Sequence, residues 1–280
     1  MAFNQNQALA LRTSHRFLDA DCHSILECNC YIKNVELLIM IQNVLIATLV
    51  LGTFFILMHS RTSLAVESIP ETPVVVELFT SQGCSSCPPA DRIFSTLAEK
   101  DNVIALGFHV SYWNHLNWKD TFSNEFCDMR QHGYISLRGE KRVYTPQMVV
   151  NGTDQFVGSR ANQVKTALSK AAKNPIQLID IAVSDENAIR FTLPNIKNDT
   201  YRLWAFGYKN KVQQDIGRGE NGGKKVSYAA PVISYTNLGS WNGAKAVHSF
   251  KKPSEDIDGI AILAQRNGYG EILAAGKLAF

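Results

Sequence analysis

The sequence predicts an α/β domain over residues 73–173, followed by a mostly β region over residues 175–280. Three observations carry this expectation. Between Pro73 and Lys173, strand-like apolar runs alternate with stretches in which apolar residues recur every three or four positions. After Pro175 the helical period disappears, and short alternating runs separated by Gly-rich turns replace it. The thiols are unevenly placed as well: Cys22, Cys28, Cys30, Cys84, Cys87 and Cys127 all precede Gly133.

Taken in order, Val74–Thr80 is β-branched and nearly all apolar, as suits a central strand covered on both faces. Ser81-Gln82-Gly83 breaks the run and Cys84 follows. From Ser85 to Lys100 the pattern is helical, with Ile93, Phe94, Leu97 and Ala98 on one face. Pro88 and Pro89 fall in the first turn, where a missing amide hydrogen costs little. Cys84 is therefore expected where a strand ends and a helix begins, a place that favours a thiolate. Cys87, one turn later, is expected on the same side and within reach of the first sulfur. A second strand is expected over Val103–Val110. The turn-rich stretch Ser111–Trp118 then leads to a helix over about Phe122–Leu137. Val143–Val150 and Asp154–Gly158 flank Asn151-Gly152, a strong hairpin signal. A helix over about Arg160–Lys173 closes this part, with Val164, Ala167, Leu168 and Ala171 on one face.

In the second half, strands are expected over Ile176–Val183, Ala188–Leu193, Tyr201–Tyr208, Val226–Tyr235 and Ile257–Leu263, forming a small antiparallel sheet or sandwich. Gly219-Glu220-Asn221-Gly222-Gly223 lacks the Gly-Lys-Ser/Thr ending of a phosphate loop and is read as a turn.

Composition fits a packed protein: 45% of the residues are apolar and 19% charged. The net charge of +3 is spread thinly, with no run of five or six like charges, so a nucleic-acid partner is not expected. Residues 1–65 form an N-terminal segment containing the uncharged run Leu37–Met58. As a helix that run spans about 33 Å, enough to cross a bilayer core. It reads either as an uncleaved membrane anchor or as the core of a signal peptide ending at Ser63-Leu64-Ala65. In the second case Met40 is the expected start and residues 1–39 an over-extension. Both readings place residues beyond about 66 outside the cytoplasm, periplasmic or secreted if cleaved and membrane-anchored if not.

Taken alone, Cys84-Ser85-Ser86-Cys87 fits a redox centre, a structural disulfide or half of a zinc site, though no second Cys-x-x-Cys exists to complete a zinc ribbon. His109 and His115 are the nearest candidates for a copper site, with His109 more simply read as a satisfied side chain in an apolar strand. Cys127 is read as an inert packed thiol. Tyr112, Trp113 and Trp118 are candidates to line a groove beside Cys84, or to pack in the core.

Strand, Cys-x-x-Cys, helix, strand, helix, then Thr145-Pro146 before a hairpin and a last helix resembles the thioredoxin superfamily. The segments Glu77–Asp91 (ELFTSQGCSSCPPAD) and Tyr144–Gly152 (YTPQMVVNG) also resemble a bacterial family of secreted thioredoxin-like proteins whose function is not established, over about three-quarters of the chain. The resemblance implies a thioredoxin-like fold and thiol–disulfide exchange, with Cys84 as nucleophile and Cys87 as resolving thiol. It implies that Pro146, after Thr145, is a cis-proline shaping a substrate site beside the cysteine pair, the site that Trp113 and Tyr112 are candidates to line. Where the superfamily's namesake has Gly-Pro between its cysteines, this chain has Ser85-Ser86, so a redox potential does not carry over. The expected partner is a protein or small thiol/disulfide substrate, with no cofactor and no metal; the alternative is a non-catalytic module that binds copper or a protein.

Overall fold

The unbroken apolar run Val74–Thr80 becomes β1, and every one of its residues is buried. A computed structural model describes residues 72–280 apart from Glu186, together with Met40 and Gln42. β1 pairs in parallel with β2 (Val103–His109) and antiparallel with β3 (Gln147–Val150), whose other edge carries β4 (Asp154–Val157). The sheet order is β2-β1-β3-β4. Three helices accompany it: α1 (Pro88–Ala98) between β1 and β2, α2 (Glu125–Leu137) between β2 and β3, and α3 (Ala161–Lys173) after β4. Their spacing dictates what they bury. α1 turns Ala90, Phe94 and Leu97 inward, and α3 turns Val164, Ala167 and Ala171 inward.

The remaining strands are β5 (Gln177–Leu178), β6 (Asp180–Asp185), β7 (Ala188–Leu193), β8 (Tyr201–Tyr208), β9 (Lys211–Asp215), β10 (Lys225–Ala229), β11 (Val232–Trp241), β12 (Ala246–Lys251), β13 (Gly259–Arg266) and β14 (Ile272–Ala279). They form a five-stranded sheet β11-β8-β13-β14-β5, a three-stranded sheet β12-β7-β6 and the hairpin β9-β10.

The five-stranded sheet organises the molecule because it is covered on both faces. Successive residues of a strand point to opposite sides. Along β8 and β13, Trp204, Phe206, Ala261 and Leu263 join the core that contains β1, β2 and the helices. Leu203, Ala205, Ile260 and Ile262 instead join Ile189, Phe191 and Leu193 of the three-stranded sheet. Glycine is needed where these layers meet: a Cβ on Gly276 would lie 2.0 Å from the Ile179 carbonyl oxygen.

The α/β, thioredoxin-like class expected from the sequence is therefore corrected. Among the described residues the chain is mostly β, with fourteen strands in four sheets against three helices. The physical reason is that every element after Lys173 is a strand, and these strands build the sheet between the two cores. The candidate boundary at residue 174 does not separate two cores, since the first core draws on both sides of it. The chain divides into Met1–Val66 and Glu67–Phe280, and the second is one compact unit.

No helix among the described residues is long and apolar enough to cross a membrane. The run Leu37–Met58, apart from Met40 and Gln42, lies outside the described residues, as do Cys22, Cys28, Cys30 and Ala65.

Candidate active site around Cys84 and Cys87

β1 ends at Thr80 because Ser81-Gln82-Gly83 turns the chain, and the turn delivers Cys84 to the carboxyl end of the parallel pair β1–β2. Cys84 and Cys87 are joined as a disulfide with Cα atoms 5.5 Å apart, and both residues are fully buried. The helix begins later than expected. Pro88 and Pro89 open α1 and Cys87 is its N-cap, its carbonyl accepting from the Ala90 and Asp91 amides. Cys84 thus sits in the turn before the helix, bonded through its amide to the Ser81 carbonyl at 3.1 Å. The helix end is nearer to Cys87 than to Cys84.

Thr145 and Pro146 reach the same loop from the start of β3. Their peptide bond is cis. Ser86 Oγ donates to the Thr145 carbonyl at 3.4 Å and lies 3.4 Å from Cys84 Sγ. Trp113 Nε1 donates to Thr145 Oγ1 at 2.8 Å, and the Trp113 Cβ would stand 3.1 Å from a Cβ on Gly83. Trp113 is thereby wedged between the two segments. Tyr112 lies beside Trp113, its hydroxyl donates to Gln131 of α2 at 3.2 Å, and burial pushes its pKa up to about 12.

Beneath the loop lies a buried polar cluster. Thr80 Oγ1 donates to Asp91 Oδ1 at 2.8 Å, while Asp91 Oδ2 has no partner among the described residues. Burial, opposed by the Thr80 bond and by His109, raises Asp91 to about 7. His109 Nδ1 meets Asp120 Oδ2 at 2.8 Å, and that oxygen also accepts from the Gln82 amide at 2.7 Å. Burial works against the charge on Asp120, but His109 and the amides of Gln82 and Phe122 hold it below the usual carboxylate range. His109 is thus a satisfied partner of Asp120. His115 Nδ1 instead lies 2.8 Å from the Tyr112 carbonyl oxygen. Among the described residues no group of three or more His, Cys, Asp or Glu is placed to hold a metal ion. Cys127 is buried and free, and burial, reinforced by Asp128, pushes its thiol up to about 12.

The residues missed from the sequence come from the turn between β9 and β10. Asn221 is buried, and its amide nitrogen donates to the carbonyls of Gln82 at 3.0 Å and Cys84 at 2.8 Å. The Glu220 carboxylate accepts from the Ser85 amide at 3.2 Å; the Ser85 contacts hold it below its ordinary range. Lys224 Nζ donates to Asn221 Oδ1 at 2.8 Å and fixes the amide's orientation. Gly219 through Gly223 is a turn, as expected, but one that clamps the cysteine loop. No local sequence signal reveals this, because the partners lie more than 130 positions away in the chain.

Fold and site together define a mostly β protein in which a buried Cys-Ser-Ser-Cys disulfide is clamped between a Thr-Pro segment and a distant hairpin. The model of the family described as "Protein of unknown function (DUF1223)" matches residues 75–265, and the chain belongs to that family. Among solved structures, the protein is similar to Protein AGR_C_4864 from Agrobacterium tumefaciens at 27% identity. That likeness covers 74% of this chain and 93% of the other, with a TM-score of 0.65. HBP35 of Porphyromonas gingivalis is similar in fold alone, at 13% identity over 75% of each chain and a TM-score of 0.54. No curated protein matches the chain.

Proposed function

We propose that the protein is a thiol–disulfide oxidoreductase acting outside the cytoplasm, with Cys84 as nucleophile and Cys87 as resolving thiol. The observation that carries the reading is the pairing of these two cysteines at the carboxyl end of β1, with Thr145 and Trp113 bonded around the same loop. In the reducing direction, the Cys84 thiolate attacks one sulfur of a substrate disulfide and releases the other as a thiolate. The Cys87 thiol then loses its proton and attacks Cys84 Sγ, releasing the second substrate thiol. The substrate gains two electrons, and the Cys84–Cys87 disulfide that remains is reduced again by an external dithiol. Oxidation of a substrate dithiol is the same sequence in reverse. The location rests on the run Leu37–Met58, read as an anchor or an export signal.

A permanent staple is the second reading, favoured by the complete burial of both cysteines. Equilibration of the full chain with dithiothreitol and glutathione buffers separates the two. A potential between about −120 and −270 mV places the pair among exchanging centres, whereas one below about −300 mV marks a structural disulfide. In the reduced protein, Cys84, whose sulfur has the Ser86 hydroxyl 3.4 Å away, is expected to alkylate faster than Cys87. Equal, slow alkylation of both, with an apparent pKa of about 8.5, removes the catalytic reading.

A further inference from the structure

The hairpin that clamps the cysteine loop also forms one wall of a cleft. The opposite wall is α1, beginning at Pro88, the residue directly after Cys87, and the space between them is about 720 Å³. Arg92 lines it from α1, and Lys211, Lys224 and Lys225 line it from the hairpin. These four cations are not spent equally. Lys224 is held by Asn221, and Lys211 lies 3.6 Å from Glu99. The side chains of Arg92 and Lys225 make no hydrogen bond or ion pair among the described residues. Ser227 adds a buried hydroxyl without a partner. The single acidic lining residue, Asp91, is only 4% exposed, and its burial favours the neutral form. A concave surface with unspent donors of one sign concentrates ions of the other sign.

We infer that this cleft is an anion subsite that holds the carboxylate or phosphate end of a small disulfide or thiol substrate. The substrate assignment rests on the redox reading; anion binding itself does not. Continuity supports both, since one hairpin supplies three of the four cations of the cleft and the Asn221 and Glu220 bonds to the cysteine loop. Binding here would place an acidic group one side of Pro88 and leave the sulfur end toward Cys84 and Cys87.

Two measurements on the full chain, in detergent, test this. The first uses succinate, a dianion without sulfur, to protect lysines from acetylation, read by peptide mass spectrometry. Lys225 is expected to label at least about threefold more slowly with succinate present, Lys165 and Lys245 unchanged, and Arg92→Glu to abolish the protection. Labelling of Lys225 that is indifferent to succinate and to inorganic phosphate overturns the anion site. Protection by one of these alone tells carboxylate from phosphate recognition. The second compares the rates at which the reduced protein reacts with dithiodipropionate, bis(2-hydroxyethyl) disulfide and cystamine. The anionic disulfide is expected to react about tenfold faster than the neutral one and the cationic one slowest, with the order lost in Lys225→Glu and at high salt. Equal rates overturn the substrate assignment and leave the redox reading standing. No reaction with any of the three removes the redox reading and the substrate assignment together, and succinate protection then decides the anion site alone.

Discussion

At the scale of single residues, the informative groups are the ones whose charge the fold resists. Asp91 sits on α1 one turn beyond Cys87, buried, with one oxygen bonded by Thr80 and the other without a partner. His109, Asp120, Arg92 and Tyr228 are the charged or titratable groups around it. Its carboxyl rises from 3.8 to about 7 on folding, so between those values the folded state holds a proton that the unfolded state has released. The stability contributed is complete below about pH 4 and is lost as pH rises through about 7. Three pH units correspond to about 4 kcal/mol. Asp91→Asn should flatten this part of the stability–pH curve, gaining on the parent from pH 4 to 7, as measured by urea unfolding across that range. An unchanged slope would assign the pH dependence to other groups. Cys127 offers a simpler expectation at the same scale. With its thiol buried and pushed up to about 12, it should resist iodoacetamide at pH 8 until the protein unfolds.

At the scale of elements, the β9–β10 turn is the part with the most consequence for the cysteines. Asn221 satisfies two backbone carbonyls of the cysteine loop with one side-chain amide, and Lys224 fixes that amide's orientation. Asn221→Ala takes the donor from the Gln82 carbonyl and leaves the Cys84 carbonyl with the Cys87 amide alone, at a cost of about 1–3 kcal/mol. Reduction of Cys84–Cys87 by dithiothreitol should then accelerate, because both cysteines are fully buried while the clamp holds. A rate equal to the parent's would show that the turn does not govern access. Most elements near the cysteines were legible in the sequence: β1, β2, the three helices and the Asn151-Gly152 hairpin follow from strong periodicity and turn chemistry. The start of α1 was less so: the helical spacing reads back to Ser85, whereas Pro88 takes the first helical position, the one proline favours. Val226–Tyr235 reads as one strand, yet Ala230 takes a φ of 46° and the chain breaks there into β10 and β11; Pro231 was the available signal. β9 and β12 were missed because they are exposed, polar strands with little apolar alternation, and β14 because alanine and glycine are weak strand formers. The clamp itself was illegible, since a buried Asn inside a Gly-rich turn looks like any other turn residue until its distant partners are placed.

At the scale of the whole molecule, the two sequence regions are joined by a polar contact inside an apolar core. Glu77 lies in the middle of β1, and Arg130 of α2 reaches it through Nε at 2.5 Å, both side chains wholly buried. Tyr134 donates to the same carboxylate. The guanidinium continues to Gln265 of β13 at 3.2 Å and lies 4.8 Å from the Phe206 ring centre on β8. Burial works against the Arg130 charge, but Glu77 prevails and raises its pKa. One guanidinium therefore bridges the two sheets, bonding Glu77 of the four-stranded sheet and Gln265 of the five-stranded one. Desolvating the pair offsets much of its attraction, whereas removing one partner strands the other in the core at about 3–5 kcal/mol. Arg130→Met should destabilise the protein by that amount. Glu77→Leu combined with Arg130→Met should recover most of the loss, because an apolar pair of similar size leaves no buried charge. Denaturant unfolding of the parent, the single variant and the double variant measures this, with near-ultraviolet circular dichroism reporting the aromatic residues on both sheets. A double variant as unstable as Arg130→Met would mean that the network's geometry, rather than its charge balance, joins the two sheets.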